Sequence, residues 1–205
     1  MPEHHLSEDL LLAYAAGTIT EAHALVCAVH LTACAACRDE VALLEQVGGA
    51  LLDTAPVDAA VAYAPAPAAT PPLTTGALPP GAEAWPRVLH PYVRGHVWAW
   101  FAPGIHVLTT ALVQGEMPVR VFRLAPRQHI ARHTHLGTEL MLVLSGGFVD
   151  LGAHYGPGDI AVRDGETTHA VDIDPDGECV ALVVNDHPLV PRTLGGKVFA
   201  LLRRP

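Results

Sequence analysis

The chain has 205 residues, half of them apolar and only 16% charged, which excludes a disordered polypeptide and allows one large or two small cored domains. Charge is uneven: residues 1–55 hold eight acids against one base, Arg38, a net of −7, whereas the other 150 hold thirteen acids and eleven bases, a net of −2. An N-terminal part this acidic excludes nucleic-acid binding by phosphate neutralisation and suits a basic protein partner.

The first elements read as helices. Ser7 is a good N-cap, Glu8 and Asp9 follow in the first turn, and Leu10, Leu11, Tyr14 and Ala15 form an apolar face that Gly17 stops. Thr20 caps a second helix from Glu21 to about Thr32. A third runs from about Ala35 to Leu52, with Val41, Leu44, Val47 and Leu51 at helical spacing. Three short helices make a small core, and such a core often needs a staple. No signal peptide is expected, because Glu3, Glu8 and Asp9 stand where a basic segment would be, and no apolar run is long enough to span a bilayer. Four cysteines are too few for a disulfide framework, so the expected compartment is the reducing cytoplasm.

Residues 54–84 change the composition: seven prolines and eleven alanines, two acids and no base, which favours an extended, semi-rigid tether. Beyond it come short apolar runs at 97–101, 106–113, 119–124, 140–144, 148–151, 160–162 and 180–184. Turn signals such as Pro103-Gly104, Ser145-Gly146-Gly147 and Gly156-Pro157-Gly158 separate them, so a sandwich or barrel is predicted.

Two clusters carry chemistry. In His30-x3-Cys34-x2-Cys37 the offsets bring three soft or borderline ligands to one helical face, which fits tetrahedral zinc. Zinc takes a fourth ligand, for which His5 is the best candidate, His4 the alternate, and His23 points to a less suitable face. Zinc here would be the staple, with an apparent binding free energy of order ~10–16 kcal/mol. Cys27 reads as core, and a redox Cys-x-x-Cys lacks the surrounding strand–helix–strand pattern. In the second cluster, His133-x-His135 puts two imidazoles on one side of an extended segment, Glu139 follows, and His169 enters from a later strand. Three histidines and a carboxylate suit zinc or another divalent transition metal. His90, His96, His106, His129, His154 and His187 have no partner at ligand spacing, and Cys179 reads as core.

His133-x-His135-x3-Glu139-x6-Gly146 resembles the first cupin motif, and Gly158-Asp159 with His169 a looser second one, with Arg163 where many cupins have proline and Arg127 in place of the usual glycine. His5 with His30-x3-Cys34-x2-Cys37 resembles the zinc-binding anti-sigma domain. His4-His5, residues 13–17 and Val47-Gly48-Gly49 fit the same resemblance, and the whole chain resembles ChrR-type anti-sigma factors. That resemblance implies an α+β chain in two domains: a small all-α zinc-binding helical domain (1–55), a Pro/Ala-rich linker (56–84) and an all-β cupin jelly-roll barrel (85–205). It also implies metal at His5, His30, Cys34 and Cys37 and at His133, His135, Glu139 and His169. The implied partner is an extracytoplasmic-function sigma factor, held inactive and released on oxidative stress, singlet oxygen above all. Neither direct nucleic-acid binding nor a membrane is expected. One departure stands out: the family usually adds a fourth helix that clasps the sigma factor, and here the corresponding residues 57–64 run into the Pro/Ala tract. A metal-dependent cupin enzyme of the dioxygenase kind, with the helices as a regulatory appendage, is the alternative.

Overall fold

A computed structural model describes residues 1–54, 74–115, 117–188 and 190–192. Three helices come first: α1 (Glu8–Ala15), α2 (Glu21–Ala33) and α3 (Ala35–Thr54). The expected caps are present. The Ser7 side chain accepts from the Leu10 N–H, Thr20 accepts from the His23 N–H, and Gly17 ends α1 in the left-handed region at φ 66°. Cys34 differs from expectation. It is not on a helix but in the junction between α2 and α3, with extended backbone (φ −102°, ψ 106°).

Residues 74–93 lead into the strands through two short 3-10 turns (Ala82–Ala84 and Arg87–Leu89) and α4 (His90–Val93). Most of the expected linker lies outside the described residues. Its last part, from Thr74, packs against the body of the protein, with Ala82 buried and Leu78 half-buried on the core.

Eleven strands follow: β1 (Ala99–Ala102), β2 (Ile105–Gln114), β3 (Met117–Leu124), β4 (His129–Thr134), β5 (Glu139–Ser145), β6 (Phe148–Asp150), β7 (Ala153–Tyr155), β8 (Ile160–Arg163), β9 (His169–Ile173), β10 (Cys179–Asn185) and β11 (Val190–Pro191). They form a six-stranded sheet in the order β1-β2-β3-β10-β5-β8 and a five-stranded sheet in the order β11-β4-β9-β6-β7. Antiparallel pairing throughout and a core between two sheets give the β-rich, cupin-like architecture expected of the second half.

Side-chain alternation shows why the two sheets differ. Along β10, Cys179, Ala181 and Val183 face the core between the sheets, while Val180, Leu182 and Val184 face the other way. That outer face is not solvated. Leu108, Leu140, Leu142 and Leu182 join Leu25, Val26 and Val29 of α2 and Leu89 and Val93 in one apolar cluster. Full burial of each such leucine contributes roughly 1.5–3 kcal/mol. The N-terminal helices therefore use the six-stranded sheet as part of their core. α3 leaves this cluster after its first turns: Val41 is buried and Leu44 half-buried, but Leu43, Val47, Leu51 and Leu52 are exposed. The expected Val41-to-Leu51 face is thus a core face only at its start. Among the described residues no helix is long and apolar enough to cross a membrane.

Candidate metal centres

The first cluster forms where the N-terminus, the α2–α3 junction and the turn before β8 meet. Asp159 in that turn is the organiser. Its Oδ1 accepts from the backbone N–H groups of Glu3 (2.6 Å) and His4 (2.9 Å), and its Oδ2 from the Gly156 N–H (2.8 Å). Burial pushes the Asp159 carboxyl up, but these three N–H groups and His4 outweigh it and hold the group below its ordinary range. The segment so fixed buries Leu6 and delivers His5, whose Nδ1 lies 3.2 Å from Cys34 Sγ and 3.7 Å from Cys37 Sγ. From the last turn of α2, His30 brings Nε2 to 3.3 Å from Cys37 Sγ and donates from Nδ1 to the Gly158 carbonyl at 2.8 Å. That bond fixes the tautomer with the Nε2 lone pair facing the sulfurs, the usual arrangement around a metal-binding histidine.

Four ligands at zinc bond lengths, tetrahedrally arranged, stand roughly 3.3–3.8 Å from one another. The contacts above fall at 3.2–3.7 Å, so His5, His30, Cys34 and Cys37 fit zinc. Burial, with His5 adding to it, keeps His30 below its ordinary value and therefore neutral, the form that binds metal. Burial also raises the Cys37 thiol, so without a cation this cluster holds a protonated thiol. His4 is outside the cluster: its ring stacks on Tyr155 at 4.1 Å and its Nε2 donates to the His154 carbonyl. His23 faces Asp186 at 3.6 Å, and Cys27 is buried core, its thiol pushed up to about 12 by burial.

The second cluster lies between the sheets, near the ends of β4 and β5. His133 is opposite His169 in the β4–β9 pairing, His135 follows just beyond β4, and Glu139 opens β5 in the facing sheet. All four are buried. His135 Nε2 lies 3.1 Å from His169 Nε2 and 3.3 Å from Glu139 Oε2, and His169 Nε2 lies 3.8 Å from the same oxygen. His133 donates from Nδ1 to the Ala131 carbonyl (2.9 Å) and His169 from Nδ1 to Asp150 Oδ2 (3.0 Å), leaving each Nε2 free to act as a ligand. Burial pushes the Glu139 carboxyl up, but the three histidines outweigh it and hold it low. His133 is kept neutral, first by burial and then by its neighbour His169. Glu139 Oε2 has no hydrogen-bond partner among the described residues although it faces three imidazoles, a donor set that fits a divalent cation.

Behind this cluster stand Asp150 and Tyr155, which the sequence did not single out, and Arg163, which it marked only as a departure from the cupin proline. Asp150 is buried, and its Oδ2 accepts from His169 and from Arg163 Nε (2.8 Å), with Arg163 Nη2 at 2.7 Å. Burial raises the Asp150 carboxyl, but His169 and Arg163 bring it below its ordinary range. Arg163 Nη2 also donates to the Tyr155 hydroxyl at 3.0 Å. A signal for Asp150 was there: it shares the inward register of β6 with the buried Phe148, and an acid in that register implies a buried partner. Arg127, where the motif usually has glycine, takes the left-handed φ of 61° that favours glycine. His129 and His154 pair with Asp172 and Asp174 at the surface, in the hydrogen-bonded role expected of them.

A family model described as the ChrR Cupin-like domain matches residues 93–189. Anti-sigma-E factor ChrR of Cereibacter sphaeroides is 35% identical over 196 residues, 91% of either chain. A chain of the crystal structure of Rhodobacter sphaeroides SigE in complex with the anti-sigma ChrR superposes with a TM-score of 0.69 at 32% identity, covering 91% of this chain and 100% of that one. An RmlC-like cupin protein from Ralstonia eutropha is more distant, at 15% identity and a TM-score of 0.41 over 46% of this chain and 65% of its own.

Proposed function

Because the chain belongs to the ChrR family of anti-sigma factors, we propose that it sequesters an extracytoplasmic-function sigma factor in the cytoplasm and is a regulator, not an enzyme. The observation that carries this is a 35% identity spread over 91% of both chains, since it includes the helices as well as the cupin. The N-terminal helices would hold the sigma factor, with zinc on His5, His30, Cys34 and Cys37 fixing their arrangement. The exposed face of α3 supports this: Leu43, Val47, Leu51 and Leu52 stand free of the chain's own core beside Glu40, Glu45 and Asp53, in the part of the chain with net charge −7. The residues where a fourth, clasping helix was considered, 57–64, lie outside the described ones.

His133, His135, Glu139 and His169 would hold a divalent transition metal, and this cluster is where an oxidative signal resembling singlet oxygen would act to release the sigma factor. A bound cation would supply a redox- or ligand-responsive centre there. The residues' own part is to present three imidazoles and one carboxylate, all buried and with His133 held neutral, so that a chemical change at them is felt by the surrounding sheet.

Co-purification of the zinc-loaded full chain with its cognate sigma factor tests the reading. A complex that chelator dissolves is expected, and no complex with the loaded chain would overturn it. His30→Ala or Cys34→Ser should abolish the complex. His133→Ala or Glu139→Gln should leave it intact and make it unresponsive to singlet oxygen.

A further inference from the structure

The two clusters are joined by side chains, not only by the Pro/Ala segment. Asp150 Oδ2 is shared: the same oxygen accepts from His169 of the second cluster and from Arg163, whereas Oδ1 has no hydrogen-bond partner among the described residues. Whatever moves His169 therefore changes the grip on Arg163 at a single atom. Arg163 holds the Tyr155 hydroxyl. The Tyr155 ring is stacked with Phe148, at 4.9 Å, and with His4, at 4.1 Å. His4 is bonded covalently to His5, a ligand position of the first cluster, and its backbone N–H is held by Asp159. Each step as far as His4 is a direct contact between buried or half-buried groups. Contacts of this kind have discrete arrangements and do not deform smoothly.

We propose that Asp150, Arg163 and Tyr155 are positioning residues that transmit the state of the His133, His135, Glu139 and His169 cluster to His4 and His5, and so set how tightly the first cluster holds its cation. The proposal rests on the metal-binding reading above and supplies the coupling that a Pro/Ala tether does not. Arg163 occupies the place where the cupin motif commonly has proline, and proline offers no donor to Asp150 or to Tyr155. With His169 held, Asp150 and Arg163 fix Tyr155 and the N-terminal segment. When His169 is released, Asp150 turns wholly to Arg163, the Arg163–Tyr155 bond loosens, and His4 and His5 gain freedom.

The test uses the full chain reconstituted with cobalt(II), because cobalt on Cys34 and Cys37 absorbs through its thiolates while cobalt on histidine and glutamate does not. The rate at which a chelator removes the thiolate-bound cobalt is measured with the second cluster intact and with it disabled by His133→Ala plus Glu139→Gln. Disabling it should speed removal about 10-fold, a typical coupling between sites. The same comparison in Tyr155→Phe and in Arg163→Met should give a ratio near one, a collapse that a loss of overall stability would not produce. Tyr155→Phe removes one oxygen and keeps the stacked ring, so it decides the matter even if Arg163→Met unfolds. A ratio that survives in Tyr155→Phe overturns the relay, and so does a wild-type ratio near one. Sigma capture is assayed on the same samples: capture with an unaltered ratio sinks the relay alone, whereas no thiolate-bound cobalt and no capture sinks both readings. A tenfold faster exchange still leaves the first cluster filled, so the complex persists in the disabled variants.

Discussion

The two clusters use four ligand positions each but are built in opposite ways. The first is assembled from separate pieces, an N-terminal segment, a helix end and a helix start, and its His5 is exposed. The second is assembled from strands already registered by sheet hydrogen bonds, and all its members are buried. Without a cation, the pieces of the first cluster are held by side-chain packing around Leu6 and by the bonds to Asp159 and Gly158, with no sheet ladder between them. Strand pairing keeps the second in place regardless. The difference teaches that the first cluster suits a cation that makes structure, and the second a cation that structure presents to a signal.

The sharpest way to break this contrast is to strip each cluster in turn. Cys34→Ser together with Cys37→Ser should empty the first and cause the largest loss, less than the ~10–16 kcal/mol of zinc on isolated metal-dependent folds because α2 also packs on the sheet. Metal content by mass spectrometry should fall by one per chain, and helical ellipticity and sigma capture should fall with it. His169→Ala should also remove one metal, yet leave ellipticity and capture intact. If both variants lose helix equally, the clusters do not differ in kind. A finer cut uses Asp150→Asn, which weakens the acceptor behind His169. Metal affinity at the second cluster should drop about 10- to 100-fold, read by competition with a chelating dye, while zinc content at the first stays at one per chain.

What the sequence made legible follows the same division between a covered region and an open one. β10 is buried on both faces because α2 lies on the outer side of its sheet, so it reads as the unbroken apolar run Cys179–Val184. β5 shares that sheet, is buried on both faces over most of its length and was legible for the same reason, while β1, β2, β3 and β8 were legible from their apolar runs although each leaves some side chains exposed or half-buried. β4 was not: His129-Ile130-Ala131-Arg132 leaves three of four side chains exposed, and its periodicity is lost among histidines chosen for chemistry. β9, with Asp172 outward between Val171 and Ile173, is hidden in the same way. Each ligand set could be read from its local nucleus, His30-x3-Cys34-x2-Cys37 or His133-x-His135-x3-Glu139, with His5 and His169 added by residue type, whereas Asp150 and Asp159 stand in no such pattern and act on residues 19 and 155 positions away. On α3 periodicity told the truth about amphipathicity but not about what would cover it. Val47 and Leu51 keep helical spacing and face away from the chain's own core.

Gly158 touches the contrast at the point where the cupin meets the first cluster. Its φ is +90°, and a Cβ there would lie 2.9 Å from Pro2 Cγ and 3.1 Å from Ala33 Cβ. Gly158→Ala therefore combines a left-handed strain of about 1–3 kcal/mol with pressure on the N-terminal segment and the end of α2. Its carbonyl, the acceptor for His30 Nδ1, should shift with it. The expected result is faster zinc loss from the first cluster and a lower melting temperature, with the metal of the second retained. Equal effects on both clusters would mean that the turn supports the whole sheet and not the junction.

The gentlest probe is pH, applied to the metal-free chain. Burial depresses His30 in one cluster and His133 in the other, so in the folded state both bind protons only below the ordinary histidine range near ~6.5. The unfolded chain then holds more protons than the folded one between that value and the lowered ones, and stability rises with pH across the window. Acidification from pH 7 through this window should lower the melting temperature, with no such slope above pH 7. In metal-loaded protein the slope should move to lower pH, because cation and proton compete for the same Nε2 atoms. His30→Gln should remove the first cluster's share of the slope and leave the share due to His133. A slope untouched by His30→Gln would place the titrating histidine wholly in the second cluster, because the raised Cys37 thiol is already protonated throughout this window and adds no slope of its own.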